Sequence, residues 1–173
     1  LAVGGIVSFT TPAAPVVLTL AATDVGAEAA TLNASITPRG GATTGWFRYD
    51  TKDPGTCNDL FGTRAPLKEG TQLGAGFKAV EFSQTVKGLT LGTTYYFCAI
   101  ASNSAGTFFG KVITLTTQAG QPIVTTMPPT DVGKDSAVLN ATAVPNGAAT
   151  TSWFRYDTIK PERCTDNFGT RTP

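Results

Sequence analysis

Three cysteines are the residues of this sequence best suited to covalent chemistry, and their spacing is regular. Cys57 and Cys164 lie 107 positions apart, while an equivalent of Cys98 would fall at 98 + 107 = 205, beyond the 173 residues. We predict a disulfide between Cys57 and Cys98, with Cys164 pairing outside this window. The alternative is a reactive or metal-binding thiol, for which the sequence offers neither a CxxC spacing nor a histidine.

The absence of histidine bears directly on catalysis. The sequence contains no His, which removes Ser-His-Asp and Cys-His machinery and the commonest general acid or base. No nucleophile–base pair or pair of carboxylates recurs along the chain. We therefore expect no enzymatic activity and no cofactor.

The charge composition indicates no particular class of binding partner. Lys and Arg number 13 against 12 Asp and Glu, a net charge of +1, so there is no basic stripe for nucleic acid. No apolar run reaches the roughly 18 residues that span a bilayer. We expect neither nucleic-acid binding nor a membrane span in this segment.

Acidic residues cluster in one loop, where Asp50, Asp53 and Asp59 are potential oxygen ligands for calcium. Their spacing matches no EF-hand pattern, and Lys160 occupies the position equivalent to Asp53. We favour solvated loop carboxylates and expect no metal site.

An internal repeat organises the whole sequence. Residues 15–66 align without a gap with residues 122–173, and about 30 of the 52 positions are identical. Residues 3–11 also resemble residues 109–117. We predict that residues 1–11 are the last strand of a preceding repeat, residues 12–121 a complete repeat, and residues 122–173 the first half of the next, within a longer array.

Short alternating segments separated by turn signals predict an all-β chain. The expected strands are residues 16–20, 30–37, 43–50, 80–86, 94–102 and 108–116. Six or seven antiparallel strands in about 105 residues suit a β-sandwich of the immunoglobulin kind, repeated in tandem every 107 residues. The predicted core of the complete repeat contains Leu32, Ala34, Phe47, Tyr49, Tyr95, Phe97 and Ala99.

The segment from Leu89 to Phe97, followed by Ala101 to Gly106, resembles the strand F signature of fibronectin type III domains. The resemblance implies that Tyr95 is the corner tyrosine of that fold. This sequence has Leu91 where the family usually has proline, and Gly45 where it usually has a large aromatic. It is similar to the divergent tandem repeats of long bacterial surface and secreted proteins, which implies a fold more than a function.

Alternation also predicts an aromatic outer face. If Phe47 and Phe97 face the core, then Trp46, Arg48 and Tyr96 face outward together with Cys98. A bridge from Cys98 to Cys57 would fold residues 51–77, here called the insert, back over this face. The aromatics then either pack beneath the insert as a second small core or form an exposed platform that binds glycan or protein.

Two sequons, at Asn33 and Asn140, lie on outward strand positions and are formal glycosylation acceptors. Both short motifs also arise by chance.

These observations favour a structural or interaction repeat of an extracellular fibre, filament or adhesin stalk. Its predicted partners are neighbouring repeats of the same chain or adjacent subunits. The alternatives are a module that binds glycan or a host or cell-surface protein, and an accessory domain of a secreted hydrolase. A disulfide would place the chain in an oxidising compartment, namely the periplasm, the cell surface or the medium, and we expect an extracellular or cell-surface location.

Overall fold

The computed structural model describes Gly5, Thr11 and residues 13–172, and the chain divides into two compact units, Leu1–Gln118 and Ala119–Pro173. The strand predicted at residues 1–11 lies almost entirely outside the described residues. Within the described residues all regular structure is β, with no helix.

The first unit contains two antiparallel sheets that face each other as a sandwich. One sheet has three strands in the order β1–β2–β6, and the other is built around β3 and β7, with β4 and β5 paired to β3 and β8 and β9 paired to β7. The strands are β1 (Val16–Thr23), β2 (Ala29–Thr37), β3 (Thr43–Asp50), β4 (Thr63–Ala65), β5 (Thr71–Gly74), β6 (Val80–Lys87), β7 (Thr94–Asn103), β8 (Gly106–Phe109) and β9 (Ile113–Thr116).

The core follows from the period-two alternation of these strands. Along β2, residues Ala30, Leu32, Ala34 and Ile36 are buried while their neighbours are half-buried. Of the predicted core, Tyr49 is half-buried and the other six residues are buried. Phe47 stacks on Phe82 with ring centroids 4.8 Å apart, joining the two sheets.

The segment predicted as one strand over residues 108–116 is instead two strands, β8 and β9, with a break at Gly110. A side chain at Gly110 would collide with the Thr19 hydroxyl, which accepts a hydrogen bond from the Ala99 backbone N–H at 3.1 Å. Thr19 is buried and lies on the facing sheet. Its hydroxyl satisfies a buried amide of β7 at this break, as buried backbone groups require.

The polypeptide enters and leaves the first unit at opposite ends of the sandwich. At the entry end the Ala13 N–H donates to the Arg39 carbonyl, and Asn103 Nδ2 donates to the Ala13 carbonyl at 3.0 Å. At the exit end the Gln118 N–H donates to the Gly26 carbonyl at 2.9 Å. Because β1 runs from Val16 beside the first end to Thr23 beside the second, the length of the strands separates the two ends.

The second unit contains two two-stranded antiparallel sheets. β10 (Ile123–Thr130) pairs with β11 (Val138–Val144), and β12 (Phe154–Tyr156) pairs with β13 (Thr170–Thr172). These strands lie at the positions of β1, β2, β3 and β4 shifted by 107 residues. The Gly120 N–H donates to the Asn146 carbonyl at 2.8 Å, the equivalent of the Ala13–Arg39 hydrogen bond in the first unit.

Candidate functional site: the clamped insert

A disulfide between Cys57 and Cys98 fastens the insert to the outer face of the larger sheet. The Cα atoms of the two cysteines are 6.0 Å apart, within the usual range for a disulfide. Cys98 lies in β7 and is fully buried, whereas Cys57 is half-buried in the insert. The predicted pairing is confirmed.

Beneath the insert lies a second hydrophobic cluster, separate from the sandwich core. Trp46, Cys98 and Ile100 are buried, with Cys57, Phe61 and Val112 packed against them. These side chains point away from the core of the sandwich, since Phe47 and Phe97, the residues adjacent to Trp46 and Cys98, are the ones that point inward. The insert therefore supplies apolar cover to a sheet face that would otherwise meet water.

A network of charged groups closes the edge of this cluster. The indole Nε1 of Trp46 donates to Asp59 Oδ1 at 2.8 Å, and Arg48 Nε donates to the same oxygen at 2.9 Å. The guanidinium of Arg64 lies 4.7 Å from the centre of the Trp46 ring, a cation–π arrangement. Arg48 also reaches the Gly62 carbonyl at 3.2 Å.

Asp59 keeps contact with solvent, since its side chain is 40% exposed, but it is more than a solvated loop carboxylate. It is half-buried and accepts hydrogen bonds from two side chains of β3, so it joins the insert to the sheet. Asp50 and Asp53, by contrast, accept hydrogen bonds from nearby backbone amides in local turns. The described residues contain no group of three or more acidic or cysteine side chains arranged to hold a metal.

The turn that brings the insert back to β3 depends on a glycine. Gly62 has a positive φ of 50°, and a side chain on it would collide with the Tyr49 carbonyl oxygen. Glycine is the residue that adopts this conformation at least cost. Gly169, the equivalent residue of the second unit, has a φ of 48° and the same relation to Tyr156.

The second unit repeats the polar network without the disulfide. Trp153 Nε1 donates to Asp166 Oδ1 at 2.8 Å and Arg155 Nε donates to the same oxygen at 3.0 Å. Arg171 lies 4.2 Å from the centre of the Trp153 ring. Cys164 is a free, exposed thiol. The local sequence is therefore sufficient to form this network.

The hydrogen bond from Trp153, and next that from Arg155, hold the pKa of Asp166 below its ordinary value. In the first unit, burial raises the pKa of Tyr49, and the neighbouring Tyr95 raises it further. Both shifts follow from the immediate surroundings of the group.

The structure brings the predicted binding residues together but covers one of them. Trp46 is only 7% exposed, because the insert and Arg64 lie over it, so it does not form an open aromatic platform. Arg48 and Tyr96 are half-buried on the same outer face. The large apolar side chains that do reach solvent in the insert are Leu60, Leu67 and Phe77.

The two sequon asparagines have structural contacts. Asn33 Nδ2 donates to the Ala21 carbonyl at 2.9 Å and to the Thr23 hydroxyl at 3.1 Å. Asn140 Nδ2 makes the equivalent hydrogen bonds to the Pro128 carbonyl and the Thr130 hydroxyl. Each amide thus fastens the irregular end of the preceding strand, where the strand register shifts.

Two features of this site escaped the sequence analysis, namely the role of Asp59 and the stacking of Arg64 on Trp46. The signal was present in the repeat. Trp46 and Asp59 recur with unchanged spacing as Trp153 and Asp166, and Arg64 recurs as Arg171, whereas Asp53 is replaced. Retention in both copies narrowed the candidates to Asp50, which recurs as Asp157, and Asp59.

No family model and no curated protein sequence matches this chain. Among solved structures, it is similar to the sensor domain of the anti-sigma factor RsgI4 of Pseudobacteroides cellulosolvens. A short form of that domain gives a TM-score of 0.41 at 18% identity, covering 60% of this chain and 94% of the sensor domain. A long form gives 0.42 at 18% identity, with coverage of 62% and 93%. Similarity at this level carries no argument about function.

Among the residues that the structure describes, no helical segment has the length and apolar character of a membrane span.

Proposed function

We propose that this chain is a structural repeat of an extracellular fibre, filament or adhesin stalk, built from fibronectin type III-like sandwiches of about 107 residues. The observation that carries the proposal is the separation of the two chain ends of the first unit. The chain enters beside Arg39 and leaves beside Gly26, and both points are fixed by backbone hydrogen bonds. Domains entered and left at opposite ends extend an array with every copy added.

The connector supports stiffness in such an array. Gln118 is anchored to the first unit through its backbone and through its side chain, which donates to the Val25 carbonyl at 3.1 Å. Gly120 is anchored within the second unit by its hydrogen bond to Asn146. Ala119 alone lies between these anchored residues, and a connector this short has few conformations available.

The clamped insert supports a load-bearing role over a catalytic one. Its disulfide, its apolar cluster and the Asp59 network all hold residues 51–77 against the sheet. The same polar network is present in the second unit. Equivalent residues thus hold this segment in place in both copies, as expected for a scaffold.

The disulfide supports an extracellular location, since such bonds persist in oxidising compartments. Family membership is supported by Tyr95, whose hydroxyl accepts a hydrogen bond from the Thr90 N–H at 2.9 Å. That is the interaction of a corner tyrosine in immunoglobulin-like sandwiches.

Small-angle X-ray scattering on proteins containing one, two and four joined copies of residues 13–119 tests the proposal. Strands of eight to ten residues rise about 3.3 Å per residue, so each copy should add a constant length on the order of 30 Å. The matched control carries a six-residue Gly-Ser insertion after each Ala119. At equal copy number its maximum dimension should be smaller, because the flexible insertions let the array bend. A maximum dimension that grows much more slowly than copy number in the uninterrupted proteins would refute a stiff array.

One observation favours a second candidate, a module that binds glycan or a host or cell-surface protein. Leu60 at the insert surface is 93% exposed, and the equivalent position of the second unit is Asn167. A surface position that differs between copies is what a repeat-specific binding site would show, whereas a scaffold needs the same residues in every copy. A glycan array probed with the Leu60→Asn variant and the unaltered chain tests this candidate. Binding signals that are unchanged by the substitution would show that Leu60 takes no part in glycan binding. The role of accessory domain of a secreted hydrolase remains a third prediction.

A further inference from the structure

An open groove lies beside the disulfide of the first unit. It has a volume of about 430 Å³, and its two walls are residues 55–57 of the insert and residues 109–112, which connect β8 to β9. The insert wall ends at Cys57, which is bonded to Cys98 of β7, and β8 and β9 both pair with β7. The groove is therefore held between two segments that are fastened to the same strand.

The groove lies on the side of the sandwich. Cys98, to which the insert is bonded, and Ile100, which pairs with Phe109, are both near the middle of β7 (Thr94–Asn103). The points at which the chain enters and leaves the unit are instead at the ends of the sandwich. Joining copies end to end therefore leaves the groove accessible from the side.

Three kinds of group in the groove are available to a ligand. The Phe109 ring is 45% exposed, Lys111 is exposed, and Thr56 is exposed on the insert wall. Among the residues that line the groove Lys111 alone is charged, and within the described part of the chain no carboxylate forms an ion pair with it. One apolar ring, one cation and one hydroxyl around a small cavity are typical of a site for a small ligand.

The insert keeps its framework and changes its exposed side chains between the two copies. Along residues 52–60, every exposed position differs from its equivalent in the second unit. The half-buried residues Pro54, Cys57 and Asp59 are retained. The variable positions are thus the ones that meet solvent on a segment that the clamp holds in place.

Two of these variable positions are in the groove itself. Gly55 is replaced by Glu162 and Thr56 by Arg163. Gly55 adopts a positive φ of 69°, a conformation that residues with a Cβ atom disfavour. The wall therefore changes in shape as well as in charge from one copy to the next.

The opposite wall shows the same contrast. In residues 1–11, which resemble the end of this unit, Val3 takes the place of Phe109. Gly5 takes the place of Lys111, whereas Gly110 is retained as a glycine. Both walls thus carry variable side chains on a constant frame, which indicates a ligand that differs from repeat to repeat.

The sheet edge beside the groove is unsuited to a peptide that adds as a strand. β8 and β9 share the edge next to β7, and the break at Gly110 interrupts their row of backbone groups. Strand addition relies on main-chain hydrogen bonds along a continuous edge. A compact ligand that combines a ring, a negative charge and hydroxyl groups fits the groove better.

We propose that this groove binds a mono- or disaccharide unit that carries a carboxylate. The apolar face of a sugar ring packs on Phe109, the carboxylate accepts a charge-assisted hydrogen bond from Lys111 Nζ, and a sugar hydroxyl pairs with Thr56. The proposal deepens the second candidate function, binding of glycan, by giving it a site and a chemical class. It does not depend on the stalk role.

An NMR titration of the full chain with digalacturonic acid tests the proposal, with galactobiose as the neutral disaccharide of the same size. We expect saturable shifts of the Phe109 and Lys111 amide signals. The dissociation constant should be about fivefold lower for the acid, because only the acid pairs with the lysine. Added salt should reduce this difference, since the paired charges are exposed.

Substitutions on the wall formed by residues 109–112 separate the contributions of charge and ring. Lys111→Gln should abolish the preference for the acid, and Phe109→Val should weaken the binding of both disaccharides. The matched controls, Lys87→Gln and Phe77→Val, alter an exposed lysine and an exposed phenylalanine outside the groove. Both controls should leave the two dissociation constants unchanged.

The insert wall is tested with the residue of the second copy. Gly55→Glu places a carboxylate in the groove and should weaken the binding of digalacturonic acid by like-charge repulsion. Gly55→Gln is the matched control, because it has the same shape and the same backbone strain without the charge. It should weaken the binding of the acid less than Gly55→Glu does.

Equal affinity for the two disaccharides, shifts that map outside the two walls, or the absence of a saturable shift would overturn the proposal. So would tighter binding of hexaglutamate, an extended acidic peptide. Leu60 lies outside the groove, so Leu60→Asn should leave the affinity for digalacturonic acid unchanged, and a loss of affinity would contradict the placement of the site. The glycan-array test of Leu60 and the scattering test of the stalk therefore succeed or fail independently of this one.

Discussion

The outer-face networks of the two units have the same hydrogen bonds but different surroundings. The Trp–Asp distance is 2.8 Å in both units, and the Arg–Asp distances are 2.9 Å and 3.0 Å. Yet Trp46 is 7% exposed and Trp153 is 40% exposed. The difference teaches that the polar network forms without an equivalent of β7 or of the disulfide, whereas burial of the tryptophan accompanies both.

The largest expected difference between the units lies in their cores. Phe47→Ala removes a fully buried ring that stacks on Phe82, and should destabilise the first unit by about 3 to 5 kcal/mol. Phe154→Ala, at the half-buried equivalent, should cost less than about 1 kcal/mol, since little cavity forms. Urea denaturation of both variants, followed by circular dichroism, measures the contrast. Equal losses would mean that the two units bury their phenylalanines alike.

Reduction of the disulfide should have the second-largest effect on stability. Cys57 and Cys98 are 41 positions apart, and reduction frees the loop between them. The free energy of unfolding of the first unit should fall by about 2 to 4 kcal/mol, in the range typical of native disulfides. The effect should be local at first, with faster amide exchange in residues 51–77 and greater exposure of Trp46. The second unit, whose Cys164 is already free, serves as an internal control and should not change. A cooperative loss of the entire first unit on reduction would contradict a merely local clamp.

Removal of the shared carboxylate should have a smaller effect. Asp59→Ala leaves the Trp46 indole and the Arg48 guanidinium without their common acceptor, and should destabilise the attachment of the insert by about 1 kcal/mol. Asp53→Ala is a control in the same insert, because Asp53 makes only a local turn contact. Exchange mass spectrometry of residues 51–77 should distinguish them, and indistinguishable variants would remove Asp59 from the clamp.

The smallest expected effect is the pH dependence of stability that arises from Asp166. The pKa of Asp166 is lowered mainly by its hydrogen bond from Trp153 and next by that from Arg155. A carboxylate with a lowered pKa in the folded state contributes stability above its ordinary pKa, and that contribution disappears as the pH falls through the folded value. An NMR titration of the Asp166 carboxyl carbon should give a pKa below that of a model aspartate. Trp153→Phe should raise that value, and an unmoved titration would show that the indole is not its main partner.

The sandwich was predictable from the sequence because its signals are local. Alternation along β2, β3 and β7 identified the buried positions, and the conserved offset between Cys57 and Cys164 led to the correct disulfide. The break between β8 and β9 was not predictable, since it depends on Thr19 from the other sheet reaching the Ala99 amide. A contact between residues that are 80 positions apart in the sequence produces no local sequence pattern.

The site was predictable only in part, for the same reason. Alternation placed Trp46, Arg48 and Cys98 on one face, but not the closure of the insert over them. The short strands β4 and β5 within the insert carry too few residues to show a period. The pairing of β4 with β3 accompanies the turn at Gly62 and the contacts of Asp59 and Arg64, all of which are tertiary.

We propose that the first unit, with its clamped insert, is one load-bearing body pulled from opposite ends. Single-molecule force spectroscopy on joined copies of residues 13–119 tests this claim directly. Under oxidising conditions each copy should unfold in one step. Its contour length should be shorter than in the reduced protein by the 41 residues between Cys57 and Cys98, about 140 Å at full extension. A separate low-force step for the insert in the oxidised protein, or equal contour lengths in both conditions, would contradict the account.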